Sequence, residues 1–451
     1  MNGSLAIRGG RVLDPGRGLD TVADVLIEGG RIAKVGAALA AAHVIEAKGL
    51  VVCPGFVDIH CHLRDPGFEH KETIETGARA AARGGFTTVC CMPNTEPPID
   101  SQASVEYVLR TAAAVGLVRV LPIGCVSRGR HGETLAELAD LAQAGAVGFS
   151  DDGSPVADAS LMRRALEYSQ ALGLPVIDHC EEPSLTKEGV MHEGWVATRL
   201  GLRGQPAAAE EAAVARDIAL AEFTGSHVHI AHVSTRGSVE LVRAAKAHGT
   251  NVTAEVTPPH LTLTHEAVAF SAAGGAAGNG GLNYDTNAKV SPPLRTREDV
   301  EACVEGLLDG TIDAIATDHA PHALEDKLCE FDQAAFGISN FETALGALLT
   351  LVPEGRLELP TLVAKLTAGP VKALALDRRP GLDGLGSLAP GAPADVVIFD
   401  PRREWVVEPE RFASKGRNTP LAGLTLRGQV VATVYGGRIV YALETARTAT
   451  T

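Results

Sequence analysis

Residues 54–67, PGFVDIHCHLRDPG, begin like a buried strand and end in a polar cluster. Side chains of a strand share a face at every second residue, so His60 and His62 point the same way and Cys61 points the other way. Two imidazoles on one face can bind the same metal ion, and imidazole with carboxylate is the ligand set of catalytic Zn²⁺ sites. The stretch therefore predicts a strand that delivers metal ligands at its C-terminal end.

Short apolar runs of this kind recur along the middle of the chain. The eight runs between residues 54 and 322 are FVDIHCH, FTTVCCMPN, VRVLPIGCV, AVGFSDDG, PVIDHCE, HVHIAHVS, NVTAEVTP and DAIATDHAPH. Most are separated by Ala-, Leu- and Glu-rich stretches of helical character, such as residues 71–85. This alternation predicts an α/β fold, a (β/α)₈ TIM barrel, whose parallel strands are buried on both faces. The alternative, a doubly wound open sheet, usually has an early Gly-rich phosphate turn that this chain lacks.

The two ends of the chain show a different pattern, with short strand-like runs broken at glycine turns. These runs are LAIRGGRVLD and ADVLIEGGRIAKVG near the start, and GSLAPGAPADVVIFDP and LRGQVVATVYGGRIVYA near the end. We predict that residues 1–53 and 380–451 form one small β-sandwich module and that residues 54–379 form the barrel. The Gly/Ala-rich run 271–285 is interpreted as a flexible surface insertion between the seventh and eighth strands.

Composition narrows the class of protein. Hydrophobic residues make up 45% and charged residues 21% of the 451 residues, so a sizeable core can form. The formal net charge of −15 opposes phosphate backbones and anionic membranes, which favours a small-molecule substrate over nucleic acid or membrane. No signal segment or long apolar stretch is evident, so a cytoplasmic location is expected. The eight cysteines lack CxxC spacing and are expected to be reduced core residues.

Polar residues end six of the eight runs. They are His60, His62 and Arg64 on the first, Asn94 on the second, Asp151 and Asp152 on the fourth, His179 on the fifth, His232 on the sixth, and Asp318 with His322 on the eighth. In a barrel these strand ends converge on the rim that holds the active site. Four histidines with two aspartates exceed one tetrahedral shell, which predicts two metal ions.

Each of these residues also has an ordinary structural interpretation. A lone histidine at a strand end is usually a hydrogen-bonded rim residue, and adjacent Asp151 and Asp152 before a glycine could form a turn. Arg64 alone would be a surface cation, Asn94 a turn residue and Cys180 a packing residue. The metal interpretation is favoured because so many candidate ligands fall at strand ends.

The motifs identify a family resemblance. PGFVDIHCHLRDPGFEHKETIETG, GGFTTVCCMPNT, GFSDDG, HVHIAHVST, VTPPHLTLT, SPPLRT and ATDHAPH resemble, in order, the motifs of bacterial long-chain dihydroorotases of the amidohydrolase superfamily. GSLAPGAPADVVIFDP resembles the closing β-module motif of that superfamily. The resemblance covers nearly the whole chain. It implies a zinc-dependent barrel enzyme that interconverts N-carbamoyl-L-aspartate and L-dihydroorotate in pyrimidine synthesis.

The resemblance also implies residue roles. His60 and His62 would hold one zinc ion and His179 and His232 a second, with Asp152 as the bridge. Asp318 would bind the first zinc and shuttle a proton, and Arg64, Asn94 and His322 would bind the substrate carboxylate. Several relatives bridge their metals with a carboxylated lysine, but this chain has no lysine between Lys71 and Lys187. Pro259 stands where a second histidine of the VTPPHL motif is common.

Other functions and partners remain alternatives at this stage. Allantoinase or hydantoinase would share the metals but would not need Arg64. A silent homologue that serves as a structural partner of aspartate carbamoyltransferase would be expected to have lost ligands. The resemblance also favours a homodimer, and a complex of the active enzyme with that transferase is a further expectation. The polar loop APHALEDK after the eighth run is of a kind that often closes over barrel sites.

Overall fold

The computed structural model describes residues 3–270 and 283–444 of the chain. The strands are β1 (Leu5–Asp14), β2 (Leu19–Glu28), β3 (Arg31–Gly36), β4 (His43–Glu46), β5 (Val51–Pro54), β6 (Phe56–Cys61), β7 (Phe86–Cys91), β8 (Arg119–Pro122), β9 (Val176–Asp178), β10 (Met191–His192), β11 (Gly204–Gln205), β12 (Val228–Ile230), β13 (Val252–Val256), β14 (Ala314–Ile315), β15 (Val396–Val406), β16 (Thr425–Tyr435) and β17 (Arg438–Ala442). The helices are α1 (Ile74–Gly84), α2 (Gln102–Val115), α3 (Leu138–Ala144), α4 (Ala159–Leu172), α5 (Pro183–Thr186), α6 (Trp195–Leu200), α7 (Ala207–Thr224), α8 (Arg236–Ala247), α9 (Pro258–Thr262), α10 (Glu266–Ala269), α11 (Arg297–Asp309), α12 (Ala344–Leu348), α13 (Leu359–Leu366) and α14 (Ala368–Ala373).

The middle of the chain forms the predicted barrel of parallel strands. β6, β7 and β8 form one parallel ladder, and β9, β12, β13 and β14 form another. The fourth strand position is reduced to Phe149, which bridges Gly124 on one side and Val176 on the other. A parallel bridge between Cys61 and His319 joins the eighth position to the first and completes the ring. The barrel prediction is confirmed, with a fourth strand much shorter than its apolar run suggested.

Burial on both faces explains why the barrel strands read as continuous apolar runs. On β7, Val89 and Cys91 pack into the large core that also contains helix residues. The alternate residues Cys90 and Met92 pack into a second, smaller core with residues of neighbouring strands. This period of two follows from the pleat of the strand.

Helix termini set the strand–helix alternation. α1 begins after Thr73, whose hydroxyl oxygen accepts a hydrogen bond from the Thr76 amide at 3.1 Å. It ends at Gly85, which takes a positive φ of 91° that side chains disfavour, so the chain can turn directly into β7. α2 and α4 follow the same pattern, with caps at Ser101 and Asp158 and ends at Gly116 and Gly173.

Both ends of the chain contribute to a single sheet of eight strands. Its order is β17-β16-β15-β5-β1-β2-β3, with β4 beside β1. β5 from the N-terminal segment pairs antiparallel with β15 from the C-terminal segment, and Val52 lies opposite Ile398. The two termini therefore share one module with its own core, while the residue boundaries 1–53, 54–379 and 380–451 stay a prediction.

Three smaller expectations concern the surface and the cysteines. The run 271–285 lies outside the described residues except for its last three positions. Across residues 3–270 and 283–444, no helix is long and apolar enough to cross a membrane. All eight cysteines are free thiols, and seven of them are buried, as expected for reduced core residues.

Candidate functional site

The six side chains proposed as metal ligands converge at the C-terminal ends of the barrel strands. They are His60, His62, Asp152, His179, His232 and Asp318, and all six are buried. On β6, His60 Nε2 lies 3.4 Å from Asp152 Oδ1 and 3.7 Å from Asp318 Oδ1. His62 Nε2 lies 3.0 Å from Asp318 Oδ1 and 3.5 Å from Asp152 Oδ2. The first pair of histidines therefore faces both aspartates.

The second pair of histidines faces the same carboxylate from the other side. His179 Nδ1 lies 2.9 Å from His232 Nε2 and 3.6 Å from Asp152 Oδ1. His232 Nε2 is 3.4 Å from that oxygen. Asp152 thus lies between the two pairs, with Oδ1 near three histidines and Oδ2 near His62, which is the placement that a bridging carboxylate requires.

The ligand atoms at this rim, and the lack of hydrogen-bond partners for two of them, fit a metal site. Ligand atoms of His60, His62 and Asp318 form one group within 4.8 Å of one another, and those of His60, Asp152 and His232 form a second. Within the described chain, His60 Nε2 and Asp152 Oδ1 are buried and have no hydrogen-bond partner. Buried polar atoms are nearly always partnered, and histidine with aspartate is a set that Zn²⁺ prefers. These residues could therefore hold metal at this rim.

Glu255, at the end of β13, supports the centre from behind, and nothing in the sequence pattern singled it out. Its Oε1 lies 2.6 Å from His60 Nδ1 and its Oε2 lies 3.2 Å from His229 Nε2. Burial alone would raise the pKa of Glu255, but the charge of His60 and the bonds to both histidines hold that pKa far below its usual value. A carboxylate on Nδ1 keeps the proton there and leaves His60 Nε2 free for a metal. A charged residue inside the apolar run NVTAEVTP was the available signal.

Two more side chains orient histidines in the same way. Asn94 Oδ1 lies 2.8 Å from His62 Nδ1, so Asn94 contacts a proposed metal ligand as well as the cavity. Glu181 Oε2 lies 3.5 Å from His179 Nε2, which leaves Nδ1 of His179 facing Asp152. In each of the three cases, a side-chain oxygen contacts the ring nitrogen that faces away from the centre. The other ring nitrogen faces the centre.

The adjacent aspartates on the fourth run have different surroundings. Asp151 Oδ1 accepts hydrogen bonds from the backbone amides of Val126 and Ser127, each at 3.0 Å, and the Ser127 hydroxyl donates to Oδ2. The Asp151 side chain therefore holds the segment of Val126 and Ser127. The Ser154 amide also donates to Asp151 O at 3.0 Å, so the pair lies in a turn, as its ordinary interpretation predicted. Asp152 is the one that faces the histidines.

Arg64 and His322 lie beside the centre in one cavity of about 670 Å³. Arg64 Nε donates to Pro321 O at 3.2 Å, and its Nη2 lies 3.3 Å from His322 Nε2. His322 Nε2 lies 2.8 Å from Phe336 O. Burial lowers the pKa of Arg64 to about 10, so the guanidinium stays charged at neutral pH. Asn94 and five of the six proposed ligands, all but His60, line the same cavity.

His322 itself is neutral in this arrangement. Burial and the nearby charge of Arg64 lower its pKa to about 2. A neutral ring carries a single proton, and the carbonyl of Phe336 requires that proton on Nε2. Among the described residues, Arg64 and Lys187 are consequently the cations that line this cavity, and Arg64 is the one that lies beside His322.

Three of the candidate residues have a strained backbone. Arg64, His232 and Asp318 have φ values of 61°, 34° and 43° in the left-handed region that side chains disfavour. Such strain is kept where the surroundings hold a side chain in a required direction, and it concentrates at functional sites.

Comparison with known proteins identifies the family of this chain. Residues 49–238 match the family described as Dihydro-orotase-like, and residues 339–441 match the family described as Amidohydrolase family. A dihydroorotase of Syntrophotalea carbinolica is 52% identical over 442 residues, which cover 98% of this chain and 99% of that protein. A dihydroorotase of Pelotomaculum thermopropionicum is 54% identical over 439 residues, covering 97% of this chain and 98% of that protein. The chain belongs to the dihydroorotase family.

Solved structures with the same fold carry other names. The L-hydantoinase (dihydropyrimidinase) of Arthrobacter aurescens superposes with a TM-score of 0.83 at 26% identity, covering 97% of this chain and 96% of that one. The dihydropyrimidinase of Brevibacillus agri gives a TM-score of 0.78 at 24% identity, covering 97% and 95%, and shows the fold alone. This member of the dihydroorotase family therefore shares its architecture with enzymes of different names, and its substrate must be argued from the cavity.

Proposed function

We propose that this cavity carries the dihydroorotase reaction, the reversible cyclisation of N-carbamoyl-L-aspartate to L-dihydroorotate and water in pyrimidine synthesis. The chain is a hydrolase that acts on cyclic amides. The observation that carries the choice of substrate is the half-buried guanidinium of Arg64 in the same cavity as the histidine and aspartate centre. Hydantoin and dihydrouracil rings have no carboxylate for such a cation to bind, whereas dihydroorotate has one.

The residues that would hold metal are proposed from the family resemblance, and the closeness of their ligand atoms supports the proposal. His60, His62 and Asp318 would hold one Zn²⁺, His179 and His232 would hold a second, and Asp152 would contribute an oxygen to each. When bound, zinc polarises a carbonyl group and lowers the pKa of a water molecule to about 7. A carboxylated lysine cannot be the bridge here, because no lysine lies between Lys71 and Lys187. Asp152 is therefore proposed for that role.

Asp318 is the proposed proton carrier. Burial alone would raise the pKa of Asp318, but the hydrogen bond with His62 and the charges of the nearby histidines lower it below its usual value. The group is therefore a carboxylate at neutral pH and can accept a proton on a side-chain oxygen. In hydrolysis it takes the proton of the attacking water and delivers it to the ring nitrogen as the amide bond breaks; in cyclisation it carries the proton the other way.

Arg64 and Asn94 are proposed to hold the substrate. A guanidinium offers parallel N–H donors that match the two oxygens of a carboxylate, so it both binds and orients the ring. The Asn94 amide oxygen faces His62 Nδ1, which leaves its Nδ2 hydrogens as donors toward the cavity. His322, placed 3.3 Å from Arg64, is proposed to complete this carboxylate site.

The test is substrate specificity of the purified protein. L-dihydroorotate, dihydrouracil and allantoin are offered separately to the zinc-supplemented enzyme, and bound metal is counted in the same preparation. Turnover restricted to dihydroorotate with up to two zinc ions per chain is expected. Turnover of dihydrouracil or allantoin in preference to dihydroorotate would overturn the proposal.

The partners are also part of the proposal. A homodimer and a complex with aspartate carbamoyltransferase are proposed from the family resemblance, and sedimentation of the protein alone and with that transferase would test both. A silent structural role is disfavoured because all six proposed ligands are present and face one another.

A further inference from the structure

Two lysines are buried beside the cavity, in segments that the proposed mechanism does not use. Lys289 is 2% exposed and lies two residues before the cavity-lining Ser291. Lys327 is 3% exposed and lies on the loop after the eighth strand position. Lysines are almost never fully buried unless their charge is paired, so each requires an explanation.

Lys327 ties two segments together through backbone carbonyls. Its Nζ donates to Thr286 O at 3.0 Å, to Lys289 O at 3.2 Å and to Ala335 O at 2.6 Å. An ammonium has three donors, and these three acceptors use all of them. Among the described residues no carboxylate forms an ion pair with this group.

Lys289 makes the reciprocal connection. Its Nζ donates to Phe331 O at 2.8 Å and to Asp332 O at 3.1 Å, and it lies 4.5 Å from the ring centroid of Phe336. Its own carbonyl accepts from the Gly337 amide at 2.9 Å. The two lysines and their carbonyl partners, which we call the lysine clamp, therefore join residues 286–289 to residues 327–337 at both ends.

The clamp lies directly behind the wall of the cavity on which Arg64 lies. Phe336 and Gly337 line the cavity, and Phe336 O receives the proton of His322 Nε2. Gly337 has a φ of 143°, and a Cβ there would lie 2.7 Å from Ala320 O, so the loop packs tightly against the strand end. Displacement of Ala335 or Gly337 would therefore move the residues around Arg64.

Burying two ammonium groups costs free energy, because each loses its hydration. Burial, with the charge of Lys289, lowers the pKa of Lys327 to about 7, and burial lowers that of Lys289 as well. Methionine in place of Lys327 would fill the space at less cost but would remove all three bonds. Thr286 O and Lys289 O would keep the backbone amides of Lys289 and Gly337 as donors, whereas Ala335 O would lose the donor described for it. Retaining lysine is thus explained by the hydrogen bonds.

We infer that Lys327 and Lys289 are positioning residues that fix the loop bearing His322 and Phe336 as the wall that meets the substrate carboxylate. The inference rests on the proposed function for the identity of that substrate. The clamp acts on binding of the substrate and leaves the metal ligands and Asp318 untouched, since none of its hydrogen bonds reaches them.

Lys327→Met is the first variant, and Lys289→Met removes the other half of the clamp. We expect each to raise KM for L-dihydroorotate by about tenfold or more while kcat changes by less than about threefold. Zinc content should equal that of the wild type. Lys365→Met is the matched control, because Lys365 also donates to a buried-segment carbonyl, Ile312 O, but at the start of β14, away from the cavity rim.

A second measurement does not depend on activity. Limited digestion with a glutamate-specific protease should cut the clamp variants at Glu325 and Glu330 at least about tenfold faster than the wild type and the control. Both glutamates are exposed in the structure, and a loop released from the clamp unfolds locally more often, as cleavage requires. Loss of kcat with unchanged KM, an unchanged digestion rate, or global unfolding of both clamp variants would each overturn the inference. If wild-type protein fails to turn over dihydroorotate, the proposed function fails, and the digestion still tests the clamp.

Discussion

Replacing Glu255 by glutamine tests whether a carboxylate behind His60 sets the metal affinity. The change preserves size but converts one oxygen into an amide donor. In the wild type, the two Glu255 carboxylate oxygens face two rings, with Oε1 at 2.6 Å from His60 Nδ1 and Oε2 at 3.2 Å from His229 Nε2. A glutamine can accept from only one of them. Either His60 loses its acceptor and moves its proton to Nε2, the atom proposed to bind metal, or it keeps a weaker neutral acceptor.

The size of the effect follows from the hydrogen bond. A bond to a charged acceptor contributes about 1.5–3 kcal/mol, roughly twice the contribution of a neutral one. Losing the charge should therefore weaken zinc binding at the site that includes His60 by about tenfold to hundredfold. Full burial of Glu255 places the effect toward the upper end, since no solvent is available to replace the acceptor.

Competition against a fluorescent zinc chelator measures both zinc affinities in the apo protein. We expect one affinity class to weaken in Glu255→Gln while Glu240→Gln, a change at an exposed residue of α8, leaves both unaltered. Thermal unfolding of the apo proteins checks that the variant is folded. A folded Glu255→Gln protein with both affinities equal to the wild type would refute the supporting role of this carboxylate.

Four further outcomes are expected. Arg64→Met should lower kcat/KM for dihydroorotate by about tenfold to hundredfold, mainly through KM, with zinc content unchanged, and unaltered kinetics would contradict the carboxylate site. Asp318→Asn should lower kcat by about 10²–10⁴-fold in steady-state assays, and near-normal turnover would remove Asp318 from proton transfer. Asp152→Asn should reduce bound zinc, measured by mass spectrometry, while Asp151→Asn should retain it, and equal loss in both would contradict the bridging assignment. Burial raises the pKa of Glu342 from 4.5 to about 7, so its contribution to stability is complete below pH 4.5 and is lost as pH rises to about 7. Urea unfolding at pH 5 and pH 8 should therefore show a fall in stability that is smaller in Glu342→Gln by about 2–3 kcal/mol, and an equal fall in both proteins would contradict this pKa shift.

The order of strands and helices could be predicted from the sequence because each element has its own local residue pattern. Continuous apolar runs separated by helical stretches are required wherever parallel strands are buried on both faces, and each run carries its own pattern. The same holds for HxH on the first run, since two histidines two residues apart on a strand must share a face. Fold, rim and most of the centre followed from these local rules and from the family motifs.

Other features required the tertiary structure because they depend on contacts between distant segments. Glu255 supports His60 from a position 195 residues away. Asp152 rather than Asp151 faces the histidines because the Asp151 carboxylate accepts the backbone amides of Val126 and Ser127. The fourth strand shrinks to a single bridged residue, although its apolar run looks like the others.

The sequence by itself thus determined the barrel, the joining of the two termini and the set of candidate ligands at the rim. The tertiary structure alone decided which oxygen faces which histidine and which buried charges hold the cavity in shape, the lysine clamp among them. The physical reason is the sequence distance over which each interaction acts. Strand periodicity and helix capping act within a few residues, whereas a buried charge is stabilised only by partners that folding brings to it.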